Sequence, residues 1–195
     1  MLLMSANLPP GYTTEDLTLW LALMAKLHAP LQSACRITGV DRRAVARIFK
    51  EVNRTSVYLA TSAPTQPEWF LATAERRIHG ALLLLLYIRV HDQYPAAIAL
   101  THAYFHYARL TAIDRPEFDP DEPAFARASD YVISFSQADD LVELVVNGRP
   151  IESHQPVLKL RACTNCNSKF IGVAGFARER LCPTCERDAG FQDGP

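Results

Sequence analysis

Apolar residues recur at helical spacing through most of the first third of the chain. From Leu17 onward they predict a helix that is capped by Thr13 or Thr14 and that bends or ends at Pro30. A short second helix is predicted over Pro30–Ile37.

A third helix is predicted after a short turn in which Gly39 can adopt a positive φ, and Asp41 is placed to cap that helix. Its apolar positions follow an i, i+3, i+4, i+7 pattern: Val45, Ile48, Phe49 and Val52. Its opposite face is cationic: Arg42, Arg43, Arg47, Lys50 and Arg54. This order of elements is the helix-turn-helix plan, in which the second helix enters the major groove of DNA. An ordinary helical hairpin with a solvated basic face has the same pattern.

Long apolar segments follow a proline- and serine-containing linker at 57–66. Residues Pro67–Gln93 are predicted to form one helix of about 40 Å, and Ala96–Ile113 an aromatic-rich helix. One or two further helices are predicted over Pro123–Asn147, with Gly148 as the stop signal. Helices that are apolar nearly all round are expected in a helical core or at a subunit interface.

The C-terminal segment combines short predicted strands with two cysteine pairs. The strands are Val157–Ala162, Lys169–Val173 and Glu179–Leu181. The cysteines Cys163, Cys166, Cys182 and Cys185 form two C-x2-C pairs separated by fifteen residues. Two such turns can complete a thiolate tetrahedron around Zn²⁺, and together with a small sheet they predict a zinc ribbon. A redox C-x2-C pair would need a βαβ context, which is not evident, and a closed four-thiolate site argues against catalytic zinc.

These elements predict a mainly α chain with a helix-turn-helix-like pair and a small C-terminal zinc-ribbon module. We expect a helix-turn-helix-like region at 1–56, a linker at 57–66, a helical core and subunit interface at 67–156, and the zinc module with a short tail at 157–195.

Composition and charge refine this picture. The 195 residues are 49% apolar, enough for a sizeable core, and carry a formal net charge of −1. The charge is unevenly distributed, because basic stretches at 36–54 and 159–187 flank an acidic stretch at 114–143. Two basic stretches predict separate contact surfaces. The sequence also lacks a convincing signal peptide or membrane span, so we expect a cytoplasmic protein without a membrane partner.

Other candidate chemistry is weaker. His102 and His106 share a helix face but have no carboxylate at a metalloprotease spacing, so core packing is favoured over a metal site. The acids Asp139, Asp140 and Glu143 are assigned to a helix N-terminus rather than to a paired-carboxylate site. No phosphate-cradling glycine motif is present. We therefore expect neither an enzyme nor a small-molecule substrate.

Three of these features together resemble the FlhC family of flagellar transcriptional activators. They are the basic stretch Gly39–Glu51, the entry Glu68–Phe70 followed by Ile78-His79, and the cysteine block Cys163–Cys185. The resemblance implies a bacterial cytoplasmic regulator that binds DNA and holds one structural zinc through the four cysteines of that block. It also implies a protein partner, the flagellar transcriptional activator FlhD, with which two FlhC and four FlhD chains form a heterohexamer at flagellar promoters.

The predicted DNA contacts divide between two surfaces. On the basic helix they are Arg42, Arg43, Arg47 and Lys50, and on the zinc module Lys169, Arg178 and Arg180. Most such contacts go to phosphates, whereas Arg42 and Arg43, at the start of the helix, are best placed for base edges. The alternative is a zinc-stabilised protein–protein adaptor that does not bind DNA.

Overall fold

The computed structural model describes residues 13–53, 64–111, 132–149, 152, 154–175 and 180–189. Within these ranges the protein is mainly helical and has one small two-stranded sheet. Its elements are α1 (Thr14–Lys26), α2 (Leu31–Thr38), α3 (Arg42–Asn53), α4 (Pro67–Leu71), α5 (Ala74–His91), α6 (Ala96–Thr111), α7 (Phe135–Val145), β1 (Leu158–Ala162), β2 (Lys169–Val173) and α8 (Pro183–Asp188). Arg54 and most of the predicted linker lie outside the described residues, as do the C-terminal end predicted for α6 and the first part of the segment predicted from Pro123.

The first helix begins at the predicted cap and ends earlier than predicted. Thr13 Oγ1 accepts a hydrogen bond from the Asp16 amide at 3.1 Å, and Asp16 accepts one from the Thr13 amide at 2.8 Å. This is a capping box, which satisfies two amides that the helix leaves unpaired. The chain leaves α1 after Lys26, with His28 at a left-handed φ of 57°. Pro30 therefore does not end α1. It precedes α2 in an extended conformation.

The predicted turn between α2 and α3 is confirmed. Gly39 has a φ of 67°, in the left-handed region that favours glycine. Asp41 Oδ1 accepts a hydrogen bond from the Arg43 amide at 2.9 Å and so caps α3. The apolar face of α3 is buried against α1 and α2. As a result, α1, α2 and α3 form a three-helix unit in which α3 is held from two sides.

The single long helix predicted over Pro67–Gln93 is wrong, because the chain breaks between α4 and α5. Thr73 is extended (φ −137°, ψ 152°), and its hydroxyl accepts a hydrogen bond from the Arg76 amide at 3.2 Å. A threonine side chain that caps a new helix competes with continuation of the old one. The Arg76 guanidinium lies 4.0 Å from the ring centre of Trp69 and so joins α4 to α5 across the break.

Replacing Thr73 with alanine is expected to destabilise the fold by about 0.5–2 kcal/mol, the usual cost of losing an N-cap side chain. Chemical denaturation of Thr73→Ala should show this loss. Thr18→Ala is the matched control, because the Thr18 hydroxyl bonds the Thr14 carbonyl within α1 and caps nothing. Equal effects of the two substitutions would contradict the capping role.

The core is centred on the α5–α6 pair, and the sheet packs onto its α5 side. β1 and β2 are antiparallel, with Leu158 opposite Val173. β2 approaches α5 at Gly80, where a Cβ atom would lie 3.0 Å from Ile171 Cγ1 and 3.3 Å from Leu141 Cδ2. Leu158 and Ile171 belong to the same buried apolar cluster as the helices. Among the described helices, none is both long and apolar enough to cross a bilayer.

Candidate metal centre

Four cysteine sulfurs converge beside the two-stranded sheet. The Sγ atoms of Cys163, Cys166, Cys182 and Cys185 all lie within 4.8 Å of one another, and those of Cys166 and Cys182 are 3.6 Å apart. All four are free thiols. Four thiolates held 2.3 Å from a tetrahedral zinc would be separated by about 3.8 Å. The spacing therefore fits a single Zn²⁺ bound by all four sulfurs.

The first cysteine pair is positioned by the turn between β1 and β2. The Cys163 amide donates to the Ser168 carbonyl, and the Asn167 amide donates to the Cys163 carbonyl, both at 2.9 Å. Asn167 adopts a left-handed φ of 60°, a conformation that asparagine tolerates better than most residues. This tight turn brings Cys166 back beside Cys163.

The second pair lies at the start of a short helix, not at the end of a strand. Cys182 caps α8, and its Sγ accepts a hydrogen bond from the Cys185 amide at 3.5 Å. The strand predicted at Glu179–Leu181 is not formed by Arg180 or Leu181, and Glu179 lies outside the described residues. Pro183 occupies the first helical position of α8. Proline at that position is a sequence signal for the start of a helix, and the sequence prediction did not take it into account.

A polar contact joins the two halves of the site. The Thr164 amide and hydroxyl both donate to the Arg180 carbonyl, at 2.9 and 3.1 Å. The Asn165 side-chain amide donates to Cys185 Sγ at 3.4 Å. Such bonds orient metal ligands and tune their charge. Thr164 and Asn165 were not predicted as site residues, because cysteine spacing carries no information about their partners.

The thiols differ strongly in acidity. Burial raises the pKa of Cys163, but the backbone amides of Cys166, Cys182 and Asn165 outweigh it and lower that pKa to about 6. The Asn165 amide lowers the pKa of Cys185, but the neighbouring thiols outweigh it and raise that pKa to about 12. One thiol of the cluster is thus readily ionised while another holds its proton. A divalent cation that binds all four must displace such protons, so acid is expected to weaken binding.

The floor of the site is apolar and connects it to α5. Phe170 is fully buried against Cys163 and Cys182. The Arg77 guanidinium lies 5.2 Å from the centre of the Phe170 ring, and its Nε donates to the Ile171 carbonyl at 2.9 Å. A soft set of four sulfur donors above an apolar floor is suited to structural zinc rather than to catalysis.

The predicted DNA-contact residues lie on two different supports. Arg42, Arg43, Arg47 and Lys50 are exposed together on α3, which packs on α1 and α2. Lys169 and Arg180 are exposed on the cysteine module, whose β2 packs on α4 and α5. Arg178 lies outside the described residues. The four cations of α3 therefore lie together on one helix, and Lys169 lies on a different element, β2.

The histidine pair fits packing better than metal binding. The rings of His102 and His106 are 4.5 Å apart, and His102 stacks on Tyr94 at 6.1 Å. Burial lowers the pKa of His106, and the positive charges of His102 and Arg109 lower it further. Among the described residues, the only group of three or more metal-ligating side chains is the cysteine cluster.

Comparison with models of known protein families gave no match, and comparison with curated proteins gave none either.

Proposed function

We propose that this chain is a zinc-stabilised, DNA-binding subunit of a transcriptional activator. The observation that carries the proposal is the cationic face of α3, where Arg42, Arg43, Arg47 and Lys50 are all exposed. Within the described ranges, no acidic side chain forms an ion pair with any of the four. α3 carries these four exposed cations and one acid, Glu51, and such a basic helix face suits a polyanionic partner.

The proposed docking places α3 in the major groove. Arg42 and Arg43 are the first residues of α3, immediately after its cap, and both are exposed. The N-terminal residues of a recognition helix reach base edges, and arginine binds guanine through two parallel hydrogen bonds. Arg47 and Lys50 lie further along and would contact phosphates, which fix register but carry little sequence information.

The proposed role of zinc is structural. Bound to Cys163, Cys166, Cys182 and Cys185, one Zn²⁺ would hold the turn that precedes Lys169 against the start of α8. Lys169 and Arg180 would then add phosphate contacts on a rigid support. Arg178 is part of the same proposed surface. Because α3 and the zinc module rest on different elements, the proposal assigns base recognition to α3 and backbone contacts to the module.

The proposed setting follows from the resemblance to the FlhC family: a cytoplasmic heterohexamer with FlhD on flagellar promoters. One structural feature favours a protein partner. The side chains of Ile78, Leu85 and Ile88 are each about 40% exposed along one side of α5. The same feature supports the alternative, a zinc-stabilised adaptor that binds only protein, because apolar side chains exposed on one side of a helix suit a protein contact.

Replacing Arg42 and Arg43 with alanine is expected to weaken DNA binding and to reduce its salt dependence. Each lost base contact should cost about 1–3 kcal/mol, and the slope of log K against log salt should fall by about 0.9 for each of the two arginines that also neutralises a phosphate. Fluorescence anisotropy on duplexes from upstream regions of flagellar genes, with FlhD present, measures both quantities.

The double variant Lys26→Ala/Arg89→Ala is a matched control. It removes the same net charge from exposed positions on α1 and α5, outside the cationic face of α3. If both double variants reduce affinity and slope equally, the α3 surface has no special role. If the unaltered protein binds FlhD but no DNA at any salt concentration, the adaptor function is favoured instead.

A further inference from the structure

A polar cleft lies between the three-helix unit and α7, beside the apolar core that the unit shares with the rest of the protein. α1 and α2 pack on α6, but α2 faces α7 across a cleft of about 310 Å³. Its lining includes Pro30, Ser33 and Arg36 from the α2 side, and Ser136, Asp139 and Glu143 from α7. Because α3 packs on α1 and α2, its orientation relative to the remaining elements (the body) depends on the packing of α1 and α2 on α6 and on what spans this cleft.

Arg36 spans the cleft with both arms of its guanidinium. One nitrogen donates to Asp139 Oδ1, and the other donates to Glu143 Oε1 at 2.9 Å. Asp139 and Glu143 are four residues apart and so lie on the same face of α7. These acids are in the interior of α7, and their prediction as helix N-terminal charges is wrong. A planar guanidinium that bonds two carboxylates restricts both the separation and the relative rotation of α2 and α7 more than a single ion pair does.

Stability alone does not explain this arrangement. Asp139 is 4% exposed. Burial raises the pKa of its carboxyl group, and the hydrogen bond and positive charge of Arg36 lower that pKa only in part. The fold therefore accommodates ionised Asp139 less favourably than it accommodates the protonated form. Only the Asp139 side of this pair is buried, because the Arg36 side chain is 47% exposed. Ion pairs that are partly open to solvent contribute little to stability, whereas some ion pairs select one arrangement over competing ones.

We propose that Arg36 is a positioning residue: its fork onto Asp139 and Glu143 fixes α2, and with it α3, in one orientation relative to the body. The link from α2 to α3 is short, consisting of Gly39, Val40 and the cap Asp41. The inference rests on the proposed DNA-binding function for its biological use, but the positioning itself is measurable without DNA. Positioned in this way, the cations of α3 are held at a fixed distance and orientation relative to Lys169 when both contact DNA.

The decisive variant is Arg36→Met/Asp139→Asn, which removes the fork without leaving a buried charge unpaired. Nitroxide spin labels can be attached to a keto-bearing amino acid introduced at Glu51 of α3 and at Glu75 of α5, which are both exposed. This chemistry leaves the four clustered cysteines unmodified. Pulsed electron paramagnetic resonance is expected to give one narrow distance peak in the unaltered protein. The peak should become at least twice as broad in the variant, with little change in Tm. Affinity for the flagellar duplexes should fall about tenfold.

A neighbouring pair provides a matched control. Asp140 accepts a hydrogen bond from Arg149 at 2.9 Å and one from the Thr65 amide at 2.8 Å, and neither partner is on α2. Arg149→Met/Asp140→Asn therefore removes the same chemistry from the same helix and should leave the distance peak narrow. Arg36→Lys keeps the charge but not the two-armed fork, so it should give an intermediate width.

The outcomes separate this inference from the proposed function. An unchanged peak in Arg36→Met/Asp139→Asn overturns the positioning role. Equal broadening in Arg149→Met/Asp140→Asn overturns its assignment to Arg36. A broadened peak with undiminished DNA affinity overturns its importance for binding. If the unaltered protein binds no DNA, the proposed function fails, and peak width still decides whether Arg36 positions α3.

Discussion

Replacing Cys163 with serine is expected to abolish zinc binding and to destabilise the helical core as well as the cysteine module. A two-stranded sheet is marginal by itself, so metal binding should supply most of the module's folding free energy. Structural zinc contributes about 10–16 kcal/mol in isolated zinc-finger peptides, comparable with the whole stability of a typical domain. The loss reaches the core because Ile171 of β2 packs against Gly80 of α5.

Metal content and thermal unfolding measured together test this expectation. The unaltered protein should contain one zinc per chain, and Cys163→Ser should contain none and melt at a much lower temperature. Cys35→Ser is the control, because Cys35 is the one cysteine outside the cluster. A Cys163→Ser protein that retains zinc and an unchanged Tm would show that the four sulfurs do not act as one site.

Replacing Phe49 with alanine is expected to unfold the three-helix unit while the zinc site remains loaded. Phe49 is 1% exposed, and α3 packs on α1 and α2 through its apolar face. A buried phenylalanine truncated to alanine typically costs about 3–5 kcal/mol, a large part of what one small unit can supply. Hydrogen exchange should accelerate in α1–α3 and should change little in β1 and β2.

Val52→Ala is the graded control for Phe49→Ala. Val52 extends the same stripe, but it is only partly buried and loses fewer atoms. Its effect on exchange should be the smaller of the two. If Phe49→Ala instead accelerates exchange uniformly across all described elements, the unit and the body unfold together, and α3 could not be lost separately from the zinc module.

Local signals were sufficient for the elements that the sequence predicted correctly. The cap at Thr13, the positive φ at Gly39 and the cap at Asp41 depend on residues within four positions of each other. The two strands around the first cysteine pair were also predicted, and β2 has the predicted bounds, although only the sequence of β1 alternates and three consecutive residues of β2 are buried. Cysteine spacing indicated the four sulfurs that converge, because two tight turns can deliver them without any knowledge of the remaining fold.

Distant partners explain what the sequence did not predict. Arg36 and Asp139 are 103 residues apart, so nothing near either residue indicates their ion pair. The break at Thr73 was missed for a different reason, since strong apolar periodicity on both sides of it outweighed a single cap signal. The attachment of β2 to α5 through Arg77 also joins segments that lie far apart in sequence.

The close approach of Ile171 to Gly80 also has a consequence for synthesis of the chain. Gly80 leaves the ribosome about 90 residues before Ile171, which at about 5–20 residues per second is a delay of roughly 5–20 s. During that interval the face of α5 that will receive β2 lacks Ile171, although Ile133 and Leu141, which also contact it, are synthesised earlier. If the four cysteines bind zinc as proposed, the availability of zinc when the cysteine module emerges is expected to determine how soon β2 covers that face.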